Sequence, residues 1–258
     1  MITLTTDFGL ADGYVGAMKG VILSIAPGAT LVDISHDIAP GNIRQAAFVL
    51  HTAAPYFPGG TIHVVVVDPG VGNERRAIAA RGQRAIFVAP DNGVLSLCLA
   101  EAGGQVECRH VSNPAYHLPR VSSTFHGRDI FAPAAAHLLN GAAFDELGPL
   151  VPDPLTQLFP APTRDAEGRW QGEVWHVDHF GNLITNLQPA TCNLQTLIVV
   201  EIAGQRIAGL ACTYAERAPG ELLALVGSSG YLEIAVRDGS AARRLNAQPG
   251  TPLRLYSK

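Results

Sequence analysis

The stretch Ile62–Arg76, IHVVVVDPGVGNERR, decides how the fold is read. With Thr61 it gives an apolar run to Val67 that is too continuous for a half-exposed strand. A run of this kind belongs in a parallel sheet covered on both faces. It stops on Asp68, and Gly70, Gly72, Arg75 and Arg76 follow within a few residues. A carboxylate at the mouth of a buried strand is partly desolvated, which is unfavourable unless it is paired or hydrogen-bonded. Arg75 or Arg76 is therefore expected to return across the loop and supply the partner.

Working outward, strand-like and helix-like segments alternate through the first half. Ile2–Thr6, Thr30–Ser35 and Arg84–Val88 read as strands. Tyr14–Ile25, Ile43–Thr52, Gly93–Ala102 and Asp129–Leu139 carry apolar residues at helical spacing. This rhythm predicts an α/β domain over 1–150, a mostly parallel sheet flanked by helices. Pro149, Pro152, Pro154, Pro160 and Pro162 then crowd together, and proline at that density disfavours helix and sheet alike. A linker is expected over 151–168. Over 169–258 the runs Gly172–Val177, Leu183–Leu187, Leu197–Ile202, Leu222–Val226, Tyr231–Val236 and Pro252–Tyr256 predict an all-β, barrel-like domain.

Of the 258 residues 47% are hydrophobic and 16% charged, and the net charge is −4. No basic field exists to attract nucleic acid or anionic lipid. No run approaches the roughly 20 apolar residues of a membrane span. The opening MITLTTDFG reads as a buried strand rather than a secretory leader. Cys98, Cys108, Cys192 and Cys212 are widely spaced, without a C-x-x-C pair, and read as reduced thiols. A cytoplasmic location is expected.

Open α/β sheets bind ligands beyond the carboxyl ends of their strands. Three acids stand at such ends, each followed closely by glycine: Asp7, Asp68 and Asp91. Each alone is an ordinary turn signal, but three in one sheet predict a shared acidic rim. The segment SSTFHGRD adds Ser123, His126, Arg128 and Asp129 just ahead of a helix, where Ser123 and Asp129 also read as caps. A phosphate loop, a complete dinucleotide fingerprint and H-E-x-x-H are all missing, and GSSGY is not a nucleophile elbow. HVDHFGN is the best metal candidate. On an alternating strand His176 and Asp178 share a face while His179 points away.

The segments TTDFGLADGYVGAMKG, DISHDI, VVVDPGVGNERRAI, APDNGVL, STFHGRDIFAPAAA, DHFGNLITN and SSGYLEIAV, in that order along nearly the whole chain, resemble the S-adenosyl-L-methionine hydroxide adenosyltransferases. These SAM hydrolases (adenosine-forming) are relatives of fluorinase and chlorinase. The resemblance implies attack of water or hydroxide on C5′ of S-adenosylmethionine, releasing adenosine and L-methionine. It implies no cofactor and no metal, and a homotrimer with sites shared between subunits. It places the reacting set on Asp68, Arg75 and His126, with Asp68 orienting the water. Substrate contacts fall on Asp7, Asp12, Ser123, Asp178, Phe180, Asn182, Ser228, Ser229 and Glu233. The halogenating relatives carry tyrosine where Asp68 stands and arginine where Ser229 stands. A carboxylate repels halide and accepts a hydrogen bond from water, so hydrolysis is expected over halogenation. A SAM or adenosine sensor without turnover is the remaining alternative.

Overall fold

The computed structural model describes residues 1–102, 106–156, 159–190, 192 and 198–257. The chain divides into two compact units, Met1–Phe159 and Pro160–Lys258.

The first unit contains β1 (Ile2–Thr6), α1 (Tyr14–Ile25), β2 (Leu31–Ser35), α2 (Ile43–Ala53), β3 (Thr61–Val66), β4 (Ala77–Arg81), β5 (Ala85–Pro90), α3 (Ser96–Glu101), β6 (Glu107–His110) and α4 (Ala132–Leu139). Its sheet runs β2-β1-β3-β5-β4-β6. The first four strands are parallel, and β4 and β6 join antiparallel. The sheet is thus mixed, with the parallel part at its centre.

The valine run behaves as its pattern requires. Val64 and Val66 pack with Met18, Ile22, Phe131 and Ala135 on one face. Val65 and Val67 pack with Ala46, Leu50, Val94 and Cys98 on the other. Alternating side chains point to opposite faces of a strand, so both helical layers are satisfied only by an unbroken apolar run. Each fully buried valine contributes roughly 1.5–3 kcal/mol.

Local chemistry sets the helix boundaries. The Asn42 side chain accepts a hydrogen bond from the Gln45 amide at 3.0 Å and caps α2. The helix expected over Asp129–Leu139 divides instead. A π-turn spans Gly127–Phe131 before α4 begins. Pro133 has no N–H to offer the Asp129 carbonyl, and the Leu118 amide takes it at 2.9 Å. Strands β4 and β6 escape sequence reading: β4 is AIAAR, and alanine is depleted in strands.

The second unit contains β7 (Thr163–Arg164), β8 (Trp170–Val177), β9 (Leu183–Thr185), β10 (Ile198–Ile202), β11 (Gln205–Ala208), β12 (Leu222–Val226), β13 (Leu232–Val236), α5 (Ala241–Leu245) and β14 (Pro252–Ser257). Leu197, expected to open β10, lies outside the described residues. The sheet runs β11-β10-β14-β8-β9-β13-β12, with β7 beside β8, and all its strand pairs are antiparallel. A bridge from Ala211 to Leu225 brings the two ends toward each other, so the sheet is nearly a closed barrel. Val174, Leu183, Val200, Leu232, Ile234 and Leu255 fill it. The short helix α5 departs from the all-β expectation; Ser240 accepts from the Arg243 amide at 3.2 Å and starts it. Among the described residues no helix is long and apolar enough to cross a membrane.

Candidate active site

Strands β1, β3 and β5 are neighbours and parallel, so their carboxyl ends share one edge of the sheet. Asp7, Asp68 and Asp91 all sit there, but not as one acidic rim. Asp7 and Asp68 line a cleft of about 420 Å³ with Phe8, Pro40, Phe125 and His126. Asp91 is engaged elsewhere. Its carboxylate accepts from Arg76 Nε at 2.8 Å and from the Leu155 amide at 2.8 Å. The two consecutive arginines therefore divide their work. Arg76 serves Asp91 and Asp153, and Arg75 turns inward.

Arg75 Nε lies 3.1 and 2.9 Å from the two oxygens of Asp68, and Nη2 lies 2.5 Å from Oδ2. This charge-assisted, two-pronged contact fixes the carboxylate plane. The Asp68 side chain is 5% exposed and that of Arg75 11%. The Arg75 guanidinium also lies 5.3 Å from the Phe131 ring centroid, within cation–π range.

Arg75 Nη2 approaches His126 Nδ1 at 2.7 Å. A guanidinium only donates, so Nδ1 must present its lone pair. His126 is then neutral with its proton on Nε2. Burial pushes its pKa below the usual histidine value, and the Arg75 charge pushes it the same way. His126 thus contacts Arg75 rather than supporting Asp68 directly.

The loop bearing Asp68 and the loop bearing His126 meet backbone to backbone. At Gly72 φ is +79°, and a Cβ there would lie 2.3 Å from the Ser123 carbonyl oxygen. Only glycine fits both demands. Ser123 itself is exposed. The turn expected of it is made by Ser122, whose hydroxyl accepts from the Phe125 amide at 3.0 Å. Asp129, expected as a cap, is fully buried. It accepts from the Ser122 amide at 2.8 Å and pairs with Arg128 at 2.6 Å. Asp7 accepts from the Gly41 amide at 2.8 Å. Asp12 is exposed and does not line the cleft.

In the second unit the β8–β9 turn is built on Asp178. Its carboxylate accepts from the amides of Phe180 and Asn182 at 2.9 and 2.8 Å and from Asn182 Nδ2 at 2.9 Å. The carboxylate is thus spent on the turn rather than offered with His176. Among the described residues no three His, Cys, Asp or Glu side chains are grouped to hold a metal ion. Phe180 projects from this turn and is 75% exposed, an unusual position for a large apolar ring. Glu233 is buried on β13, beneath Gly227, where a Cβ would lie 2.7 Å from Glu233 Oε2. Burial raises the Glu233 pKa, and Asp178 raises it further. The Tyr214 hydroxyl donates to Glu233 at 2.6 Å. Tyr214 gave no sequence signal, because its partner lies nineteen positions away on another element. Ser228 and Ser229 are exposed on the turn joining β12 to β13.

Residues 2–148 match the SAM hydroxide adenosyltransferase N-terminal domain, and residues 172–254 match the corresponding C-terminal domain. The chain belongs to the SAM hydroxide adenosyltransferase family. Among its relatives in this family is the (R)-S-adenosyl-L-methionine hydrolase of Salinispora arenicola, 42% identical over 98% of this chain and 97% of that protein. The Thermus thermophilus hydrolase of the same name is 41% identical over 97% of each chain. A fluorinase from an Actinoplanes species is 30% identical over 97% of this chain and 95% of its own length. The crystal structure of an uncharacterized conserved protein from Thermotoga maritima superposes with a TM-score of 0.91 at 38% identity, covering 99% of this chain and 100% of that one.

Proposed function

We propose that this SAM hydroxide adenosyltransferase hydrolyses S-adenosyl-L-methionine, in the (R) form that the names of its relatives specify, to adenosine and L-methionine. The observation that carries the reading is the Asp68–Arg75 pair at the end of a buried strand, facing a cleft. Asp68 Oδ1 takes only the longer contact from Arg75 Nε and keeps a lone pair for water. In this reading Asp68 orients the water and takes its proton. His126 offers Nε2–H to the oxygen that is forming its bond to C5′.

The substrate is a sulfonium cation and the leaving group a neutral thioether. Attack by hydroxide removes charge in the transition state, and a drier pocket favours such a step. Alignment of nucleophile, C5′ and sulfur adds several kcal/mol, with about 7–11 as the upper range of intramolecular models. Asp7, Asp12 and Ser123, together with Asp178, Phe180, Asn182, Ser228, Ser229 and Glu233, hold the nucleoside and amino-acid ends in this proposal. It includes a homotrimer with sites shared between subunits. It also includes a cytoplasmic location, in keeping with the free thiols of Cys98, Cys108, Cys192 and Cys212.

Halogenation is the second reading, because fluorinases are relatives. A carboxylate at position 68 disfavours it by repelling halide. Incubation with S-adenosylmethionine in ¹⁸O-labelled water, with and without chloride or fluoride, separates the readings. Label on the adenosine 5′-oxygen with free methionine is expected. A 5′-halo nucleoside, or binding without methionine release, overturns the proposal.

A further inference from the structure

Asp91 and Asn92, on the turn that follows β5, touch both ends of the loop that carries Asp68 and Arg75. Asn92 Nδ2 donates to the Val67 carbonyl at 2.9 Å, one residue before Asp68. Asp91 holds the Arg76 guanidinium, one residue after Arg75, and the Asp91 amide donates to the Arg76 carbonyl at 2.9 Å. We propose that Asp91 and Asn92 are positioning residues that clamp the two flanks of the 68–75 loop and so set the Asp68–Arg75–His126 geometry. The proposal rests on the hydrolase reading above.

The clamp stands where the sheet stops holding the loop. The β3–β5 ladder ends at Val64 opposite Val88, so on that side Val67 has no strand partner. The Asn92 amide takes the place of a ladder bond. At the other end β4 begins at Ala77, opposite Pro90, and the Arg76–Asp91 pair extends that register by one residue. Between the clamped ends the loop has internal turns, Val71 to Asp68 and Asn73 to Gly70, both at 3.1 Å. Those turns shape the loop but do not tie it to the sheet. The Asn92 carboxamide is committed on both sides, since its Oδ1 accepts from the Val94 amide at 3.2 Å. Arg76 also donates to the Asp153 carboxylate and carbonyl at 2.8 and 2.9 Å. The outer end of the clamp is thereby fastened to the 153–155 segment.

Asn92→Asp keeps the acceptor for Val94 and deletes only the donor to Val67. Asp91→Asn keeps an acceptor for Leu155 and removes the charge facing Arg76. Each is expected to lower kcat on the order of 10- to 100-fold, the scale of an ångström-size misplacement, with KM little changed. Amide exchange across residues 68–76 should rise. In an Arg75→Lys background the same substitutions should add little further loss, as expected when two changes disturb one unit. An unaltered kcat in both variants overturns the clamp, as does a loss that multiplies in full on Arg75→Lys. If the wild-type protein releases no adenosine the hydrolase reading fails. Amide exchange then still decides the clamp, and unchanged protection of 68–76 in both variants rejects it.

Discussion

Arg75 Nη2 sits 2.7 Å from Nδ1 of His126 while the same guanidinium grips Asp68. One cation thus fixes a carboxylate and a histidine tautomer together. Because Arg75 has no acceptor to offer, the geometry selects neutral His126 with its proton on Nε2. Four consequences can be measured.

Asp68→Asn removes the proton acceptor and leaves a side chain of the same size. Adenosine release should fall about 10²- to 10⁴-fold, the usual range for general-base assistance. Calorimetric binding of S-adenosylmethionine should persist. Near-wild-type turnover would eliminate the base role of Asp68.

The acid limb of the pH–kcat profile should reflect His126. Its lowered pKa keeps the ring neutral to a pH below the ordinary 6.5. Protonation then sets two donors and two positive charges against each other at Nδ1. Activity is expected to fall on the acid side of pH 6.5, and His126→Asn should abolish or displace that limb. An identical limb in the variant assigns it to another group.

Gly72→Ala should be severe for its size. The residue would occupy the left-handed region and meet the Ser123 carbonyl at 2.3 Å. Strain of this kind amounts to about 1–3 kcal/mol before any backbone shift. A lower melting temperature is expected together with a loss of turnover, because the two loops that move apart carry Asp68 and His126. A fully active, equally stable variant contradicts the packing described.

Stability should decline in mild acid. Buried His63, stacked on Phe87, has its pKa pushed by burial down to about 4 from 6.5. Between those values the unfolded chain binds the proton and the folded one does not, so stability is present above pH 6.5 and lost as pH falls toward 4. The linked loss is roughly 3 kcal/mol for this group. His51, His110, His117, His126 and His176 are shifted in the same direction. Denaturant midpoints at pH 7 and 4.5 should differ less in His63→Gln than in the wild-type chain. Equal pH dependence in the two proteins removes His63 from the account.

The sequence by itself determined the elements with a strong period. Tyr14–Ile25 is helix α1 without adjustment, and the valine run is a strand buried on both faces. Hydrophobic spacing reports which side chains must leave water, and that requirement is local. It also brought Asp7 and Asp68 to the carboxyl edge of a sheet and a cation to Asp68. What it left open was which arginine reaches which acid. Arg75 and Arg76 are chemically equal in the sequence. The partners of Arg76, Asp91 and Asp153, lie 15 and 77 positions away. The alanine-rich β4 became a strand through pairing with β5 and β6 rather than through propensity. Tertiary structure alone decided the tautomer of His126, the Tyr214–Glu233 pair and the enlistment of Asp91 as an anchor. Each depends on a hydrogen bond between residues distant in the chain, whose strength lies in direction and desolvation, and neither quantity is written in the spacing of residues.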